Sequence, residues 1–166
     1  MSEEQLTILR QSVDDKLQSN LKVLVGKFPD DLNLNNESLS GILIANVLHF
    51  MDRPSITEGL NRCWRWIEKN GKSYITVMTP HLSFYYPLVV EYAKLVSEGY
   101  EWPGIFNPKP LASEQWKDNL PDFVHLFEID ALNQLVKKAG FSFDDSHYFC
   151  YQDYPDEHRN DGKEFM

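Results

Sequence analysis

The stretch Asn35 to Met51, NNESLSGILIANVLHFM, constrains the fold of this chain more than any other. A polar loop feeds a short apolar run, Gly41-Ile42-Leu43-Ile44-Ala45, which stops at Asn46. A second apolar group, Val47-Leu48-His49-Phe50, follows at once. A strand buried on both faces reads as a continuous apolar run, not an alternating one. Ligands of open α/β sheets bind just past the carboxyl ends of such strands. Residues Asn46 to Phe50 are therefore the first place to look for a binding site. The plainer reading is a core strand running into an ordinary loop, and a short apolar run alone does not separate the two.

The flanking sequence supplies the other elements. Residues 2 to 18 read as a helix, with Ser2 and Gln5 at capping-box spacing and Leu6, Leu9, Val13 and Leu17 as an apolar stripe. Leu21 to Val25, LKVLV, reads as a short strand closed by Gly26, and Phe28 to Glu37 is rich in turn-forming Pro, Asp and Asn. After the central strand, Pro54 suits the first turn of a helix, where its missing N–H costs nothing. Ile56, Leu60, Cys63, Trp64 and Ile67 fall on one face of that helix, and Asn70-Gly71 is its expected end. Ser73 to Thr79, SYITVMT, reads as the next strand, so strand, helix and strand predict a βαβ crossover with parallel strands at 42–45 and 74–77.

Residues 80 to 124 break this rhythm with six of the nine prolines and two of the four tryptophans. Leu88 to Ser97 reads as a helix within them. A long aromatic-rich excursion after a strand is often a lid or substrate-binding element. The expectation is that Tyr85, Tyr86, Trp102 and Trp116 cover the carboxyl ends of the strands; the alternative is a packed surface insertion. Leu132, Leu135, Val136 and Ala139 then form a helical stripe with Gly140 as the stop. Phe143 to Tyr151 reads as a further strand, 155–163 as a polar turn, and Glu164-Phe165-Met166 as the beginning of another strand.

Composition narrows the function classes. The length of 166 residues suits one domain with a substantial core. A net charge of −9 argues against a nucleic-acid surface, which needs clustered Lys and Arg. Arg62, Arg65, Lys69 and Lys72 come closest to a cluster and read as a solvated helix face. No run of about eighteen apolar residues exists to span a membrane. The acidic start, Met1-Ser2-Glu3-Glu4, is unlike a secretory signal, and two cysteines make no disulfide framework. A cytoplasmic protein with reduced thiols is the simplest expectation. His147, Cys150 and His158 lie close in sequence, but no zinc-binding spacing occurs, so no metal site is expected. Cys63 and Cys150 read as small core residues.

The run SLSGILIANVLHFM, the helix ending NRCWRWIEKNGK, the strand SYITVMTP and the late ALNQLVKKAGF together resemble the carboxyl-terminal portion of a class I S-adenosylmethionine-dependent methyltransferase. LKVLVGKFPD resembles that family's third strand and the loop bordering the adenine. The resemblance spans essentially the whole chain; it rests on the order of the motifs, each weak alone. It implies an α/β fold: a partial Rossmann-like methyltransferase sheet with flanking helices, residues 80–124 being an insertion in a single domain over 1–166. The family's strand order is 3-2-1-4-5-7-6. Its glycine-rich loop and ribose-binding acid have no counterpart here, since every glycine is isolated and no G-x-G occurs. The acidic residue often found entering the fourth strand is also absent, the matching pair being Leu39-Ser40. Strands 4 and 5 alone are thus expected to keep each other as neighbours, with the seventh at most begun, and the remaining edges need partners, because buried unpaired amides are costly.

For function the resemblance implies S-adenosylmethionine as cofactor and a small-molecule methyl acceptor. Gly26 and Phe28 would flank the adenine, while Asn46 and Val47 would border the methionine part. His49, His81, Tyr85, Tyr86 and His125 would line the acceptor pocket, and each has an ordinary packing role as its alternative. No universal catalytic residue follows, because the sulfonium is already an activated donor and the protein mainly positions the nucleophile. The rival expectation is a non-catalytic methyltransferase-like remnant or partner subunit, with a second copy or another chain completing the sheet.

Overall fold

Two strands with a helix between them organise the larger part of the chain. The computed structural model describes residues 3–112 and 114–166, with the backbone alone at residues 3, 115, 116 and 157. The chain forms two units, Met1–Asn33 and Leu34–Met166.

In the first unit, α1 covers Glu3–Ser12 and buries Leu6. It is shorter than the expected helix over 2–18, and a separate 3-10 turn follows at Gln18–Asn20. Ser2 of the expected capping box lies outside the described residues. LKVLV is not a strand. Its β-branched and aliphatic side chains favour one, but a strand needs a neighbour to take its N–H and C=O groups, and no such ladder forms among the described residues.

In the second unit, β1 (Leu39–Ala45) pairs in parallel with β2 (Ile67–Thr76), with Ile42 opposite Ser73, Ile44 opposite Ile75 and Ala45 opposite Thr76. The crossover is α2 (Arg53–Trp66). Its start follows from the sequence: Asp52 caps it by accepting from the Ser55 N–H at 2.8 Å, and Pro54 sits in the first turn. Ile56, Leu60, Cys63 and Trp66 are buried along it, and each large apolar side chain so removed from water contributes roughly 2 kcal/mol. Asp52→Ala is expected to cost about 1 kcal/mol of stability, with Asp52→Asn close to wild type; urea unfolding checks both.

The end of α2 corrects the sequence reading. The helix stops at Trp66, not at Asn70-Gly71, and Ile67 already belongs to β2. Asn70, at φ 69, sits in a bulge instead: the pairing jumps from Leu39–Ile67 to Gly41–Lys72. Trp66 is buried where Trp64 was expected to be, and Trp64 is 49% exposed with its ring edge-on to Phe141.

The sheet also extends further than expected. Val77 and Met166 exchange two backbone hydrogen bonds at 2.9 and 3.2 Å, and Thr79 N–H donates to Glu164 C=O at 3.0 Å. Phe149 and Phe165 likewise exchange two, at 2.8 and 3.0 Å. The order across the sheet is therefore β1, β2 with its continuation to Thr79, residues 164–166, then Phe149. Of the strand expected over 143–151, only the position at Phe149 pairs.

Helix α3 (Val89–Ser97) matches the reading of 88–97. A two-residue hairpin pairs β3 (Ile105–Phe106) with β4 (Val124–His125) in antiparallel fashion, and a short α4 (Glu114–Lys117) lies between them in sequence. Helix α5 (Ile129–Lys138) buries Leu132 and Val136 and is followed by Gly140 at φ 105. The unit is thus α/β, with a parallel pair and a smaller antiparallel pair. Among the described residues no helix is long and apolar enough to cross a membrane.

Candidate functional site

The carboxyl end of β1 turns sharply at Asn46, whose φ of 55 lies in the left-handed region that Asn tolerates better than most residues. Its N–H still closes the ladder on Thr76 C=O at 2.9 Å. Its side chain is committed as well: Nδ2 donates to the Tyr151 hydroxyl at 3.2 Å, and Oδ1 accepts from Thr76 Oγ1 at 3.4 Å. Val47 is 37% exposed. Among the described residues, neither its N–H nor the Asn46 C=O is paired within the protein. A backbone donor and acceptor thus remain without a protein partner at the strand end.

The next turn goes inward. Leu48–Phe50 form one 3-10 turn that buries Leu48 and His49. His49 Nδ1 faces the Met78 N–H at 3.5 Å, and burial pushes the imidazole down to about 4. His125, on β4, is equally buried. It stacks on Phe127 at 4.5 Å and lies 5.0 Å from the Trp102 ring. Burial first, and the nearby Arg53 second, push it down to about 4. Both rings are therefore neutral near pH 7.

His81 sits beyond the end of β2 in a cluster of polar side chains. Its N–H donates to Thr79 Oγ1 at 3.1 Å. Its Nε2 is 3.0 Å from Glu128 Oε1, and its Nδ1, sealed from solvent and without a hydrogen bond, is 3.4 Å from Asp161 Oδ2. The Tyr148 hydroxyl donates to the other Glu128 oxygen. Burial, then Glu128, raises the Tyr148 phenol. Asp161 is brought in by a loop that Glu164 organises: its buried carboxylate accepts from the N–H groups of Asn160 at 2.6 Å and Gly162 at 3.2 Å. Burial alone would raise the Glu164 carboxyl, yet these hydrogen bonds outweigh it and the net shift is down. Through Nε2 on Glu128 and the approach of Nδ1 to Asp161, His81 joins the end of β2, the start of α5 and the carboxyl-terminal loop.

The remaining candidates divide by exposure. Tyr85 is buried in an apolar cluster with Leu82, Tyr92, Phe106, Val124, Leu126 and Phe165, while Tyr86 is 51% exposed. The Trp116 side chain lies outside the described ones. Gly26 and Phe28 belong to the first unit. There Gly26 abuts Asp31, whose carboxylate accepts the Lys27 N–H at 2.7 Å, and the Phe28–Pro29 peptide is cis. Any side chain at Gly26 would meet the Asp31 Cβ at 2.7 Å.

Sequence reasoning missed Tyr151, Glu128, Tyr148 and Asp161. The Asn46–Tyr151 contact spans 105 residues and His81–Glu128 spans 47, so no local spacing encodes either. Among the described residues no group of three His, Cys, Asp or Glu side chains converges to hold a metal ion. No protein-family model matches the chain, and no curated protein matches it.

Proposed function

We propose that this chain is the carboxyl-terminal part of an S-adenosylmethionine-dependent methyltransferase domain, cytoplasmic, acting on a small-molecule acceptor. The observation that carries the reading is the pairing order β1, β2, 164–166, Phe149. It coincides with the 4-5-7-6 half of the order 3-2-1-4-5-7-6 in the family the sequence resembles. The resemblance came from local motifs, whereas the order depends on contacts between distant segments, so the two supports are independent.

The residues at the strand end suit part of such a cofactor. The Asn46 C=O and Val47 N–H, unpaired among the described residues, would serve as an acceptor and a donor for the ammonium and carboxylate of a methionine moiety. The Asn46 side chain fixes the turn through Thr76 and Tyr151. The cofactor, when bound, supplies an activated methyl group. This chain would then hold the methionine end, orient the acceptor and exclude water. His49 and His125, buried and neutral, pack behind the strand end, which leaves Tyr86 as the exposed aromatic of the candidate set.

No acidic residue or glycine-rich loop holds the ribose or the remainder of the nucleotide, and specific pockets rely on a few well-placed polar groups. The 166-residue chain should therefore bind the cofactor with a Kd weaker than about 1 mM. The test is an amide NMR titration with S-adenosylhomocysteine. Shifts concentrated at Asn46 and Val47 are expected. Tight micromolar binding, or shifts that avoid Asn46 and Val47, would overturn the reading.

A second reading, a non-catalytic partner subunit, is favoured by one specific observation. Among the described residues nothing pairs with the outer edge of β1, and on one face of the parallel pair Leu43 and Tyr74 are 69% and 61% exposed. Parallel sheets are normally covered on both faces. A self-associating or partner-bound chain in sedimentation, with no amide response to S-adenosylhomocysteine, would support this reading over the first.

A further inference from the structure

A groove of about 610 Å³ lies between α2 and α5, with Trp102 as a wall. Its floor is apolar, from Pro54, Leu60, Leu135 and Ala139. The size falls within the range of small-molecule sites. Its charged groups are mostly committed. Glu58 is shared by Arg62 at 2.8 Å and Arg65 at 3.2 Å. Glu101 pairs with Lys138 at 2.6 Å.

Arg53 is different. Its guanidinium lies over the Trp102 ring, 5.8 Å from the centroid, and makes no ion pair or hydrogen bond among the described residues, although its charge acts at longer range on the Glu101 carboxylate, which is lowered mainly by Lys138. A guanidinium resting on a ring uses its face for that contact and keeps its in-plane N–H donors available. Two turns along the same helix side, the half-buried Asn61 amide also has no hydrogen-bond partner among the described residues. Between them, the Thr57 hydroxyl donates to the Arg53 carbonyl at 2.9 Å. Two unpaired donor groups therefore border an apolar floor and a fixed indole. The Trp102 ring packs against His125, with ring centroids 5.0 Å apart.

We infer that this groove is a binding site for a small aromatic carboxylate, with Arg53 holding the carboxylate, Asn61 donating further along the groove and the ring lying on the apolar floor beside Trp102. The planar fork of Arg53 matches a carboxylate bidentately. The flat apolar body is required by the floor and the indole. The site is separate from the residues proposed for the cofactor, so either can fail without the other.

The test is titration of the full chain with 2-naphthoate, followed by Trp fluorescence and by amide NMR. Saturable binding is expected at concentrations below about 1 mM, with shifts at Arg53 to Asn61 and at the Trp102 indole. The neutral 2-naphthamide should bind at least about tenfold more weakly, a difference of roughly 1.4 kcal/mol. Arg53→Gln should lose a similar factor while its circular dichroism stays unchanged; Asn61→Ala should lose a smaller one and serves if the first variant fails to fold. Equal binding of naphthoate and naphthamide, an unaffected Arg53→Gln, or displacement of naphthoate by inorganic phosphate at equal concentration would each overturn the assignment.

Discussion

Acidification from about pH 7 to about pH 4 is expected to remove on the order of 6 kcal/mol of folding stability, mostly through His49 and His125. Each is held down to about 4 in the folded chain, chiefly by burial, against an ordinary value of about 6.5 when unfolded. The folded state therefore resists protonation where the unfolded state accepts it. Above pH 6.5 both states carry neutral rings and the full stability is present. Below that, the unfolded state binds more protons, so stability falls with falling pH until the folded pKa is reached. Each ring contributes about 3 kcal/mol over this window, since one pKa unit is worth about 1.4 kcal/mol. A total stability of about 5–15 kcal/mol makes the loss a large fraction of the whole. Urea midpoints measured at several pH values should fall steeply below pH 6.5, and His125→Phe should flatten the curve by about half. Midpoints unchanged between pH 7 and pH 5 would show that these rings titrate normally. Exposed carboxylates paired with cations, such as Glu58 with Arg62 and Asp122 with Lys109, weaken only at lower pH and do not mimic this window.

These two histidines also show what the sequence carried and what it did not. The strand ending at Asn46, the helix opening at Pro54 and the buried stripe of Ile56, Leu60 and Cys63 were legible because each depends on local periodicity and a cap. The parallel pairing of 42–45 with β2 followed from the strand–helix–strand order. LKVLV failed because apolar content predicts a strand only where a neighbour completes its hydrogen bonds, and neighbours are not local information. Asn70-Gly71 misled for a related reason. The same dipeptide serves a helix cap or a strand bulge, and the pairing of Gly41 with Lys72 decided it. His49 and His125 were undecided between ligand contact and packing because burial is a property of the assembled fold. Arg53, by contrast, drew no attention in the sequence: a lone cation at a helix start is ordinary until the indole beneath it and the groove beside it are seen.

Gly104→Ala is expected to destabilise the larger unit by at least about 3 kcal/mol, at or beyond the upper end of overpacking effects. A Cβ at this position would lie 1.7 Å from the Leu126 carbonyl oxygen and 2.8 Å from its carbon. The obstruction is backbone, so no rotamer change relieves it. The strands must instead separate, which breaks the 2.7 Å hydrogen bond from Leu126 N–H to Gly104 C=O and costs about 1 kcal/mol more. The Tyr92 ring, 3.1 Å away on another side, blocks the opposite escape. Because Phe106, Val124 and Leu126 are core members of this hairpin, a shift there opens the apolar cluster that also contains Tyr85 and Phe165. Gly99→Ala is the control. It too changes glycine to alanine, but nothing lies within 4 Å, and its φ of +79 leaves only backbone strain, about 1 kcal/mol. Urea unfolding of the two variants separates steric obstruction from loss of glycine as such. If Gly104→Ala unfolds within about 1 kcal/mol of wild type, the close approach of residues 104 and 126 does not exist in solution. The hairpin holding His125 against Trp102 would then lose its register, and the wall of the Arg53 groove with it.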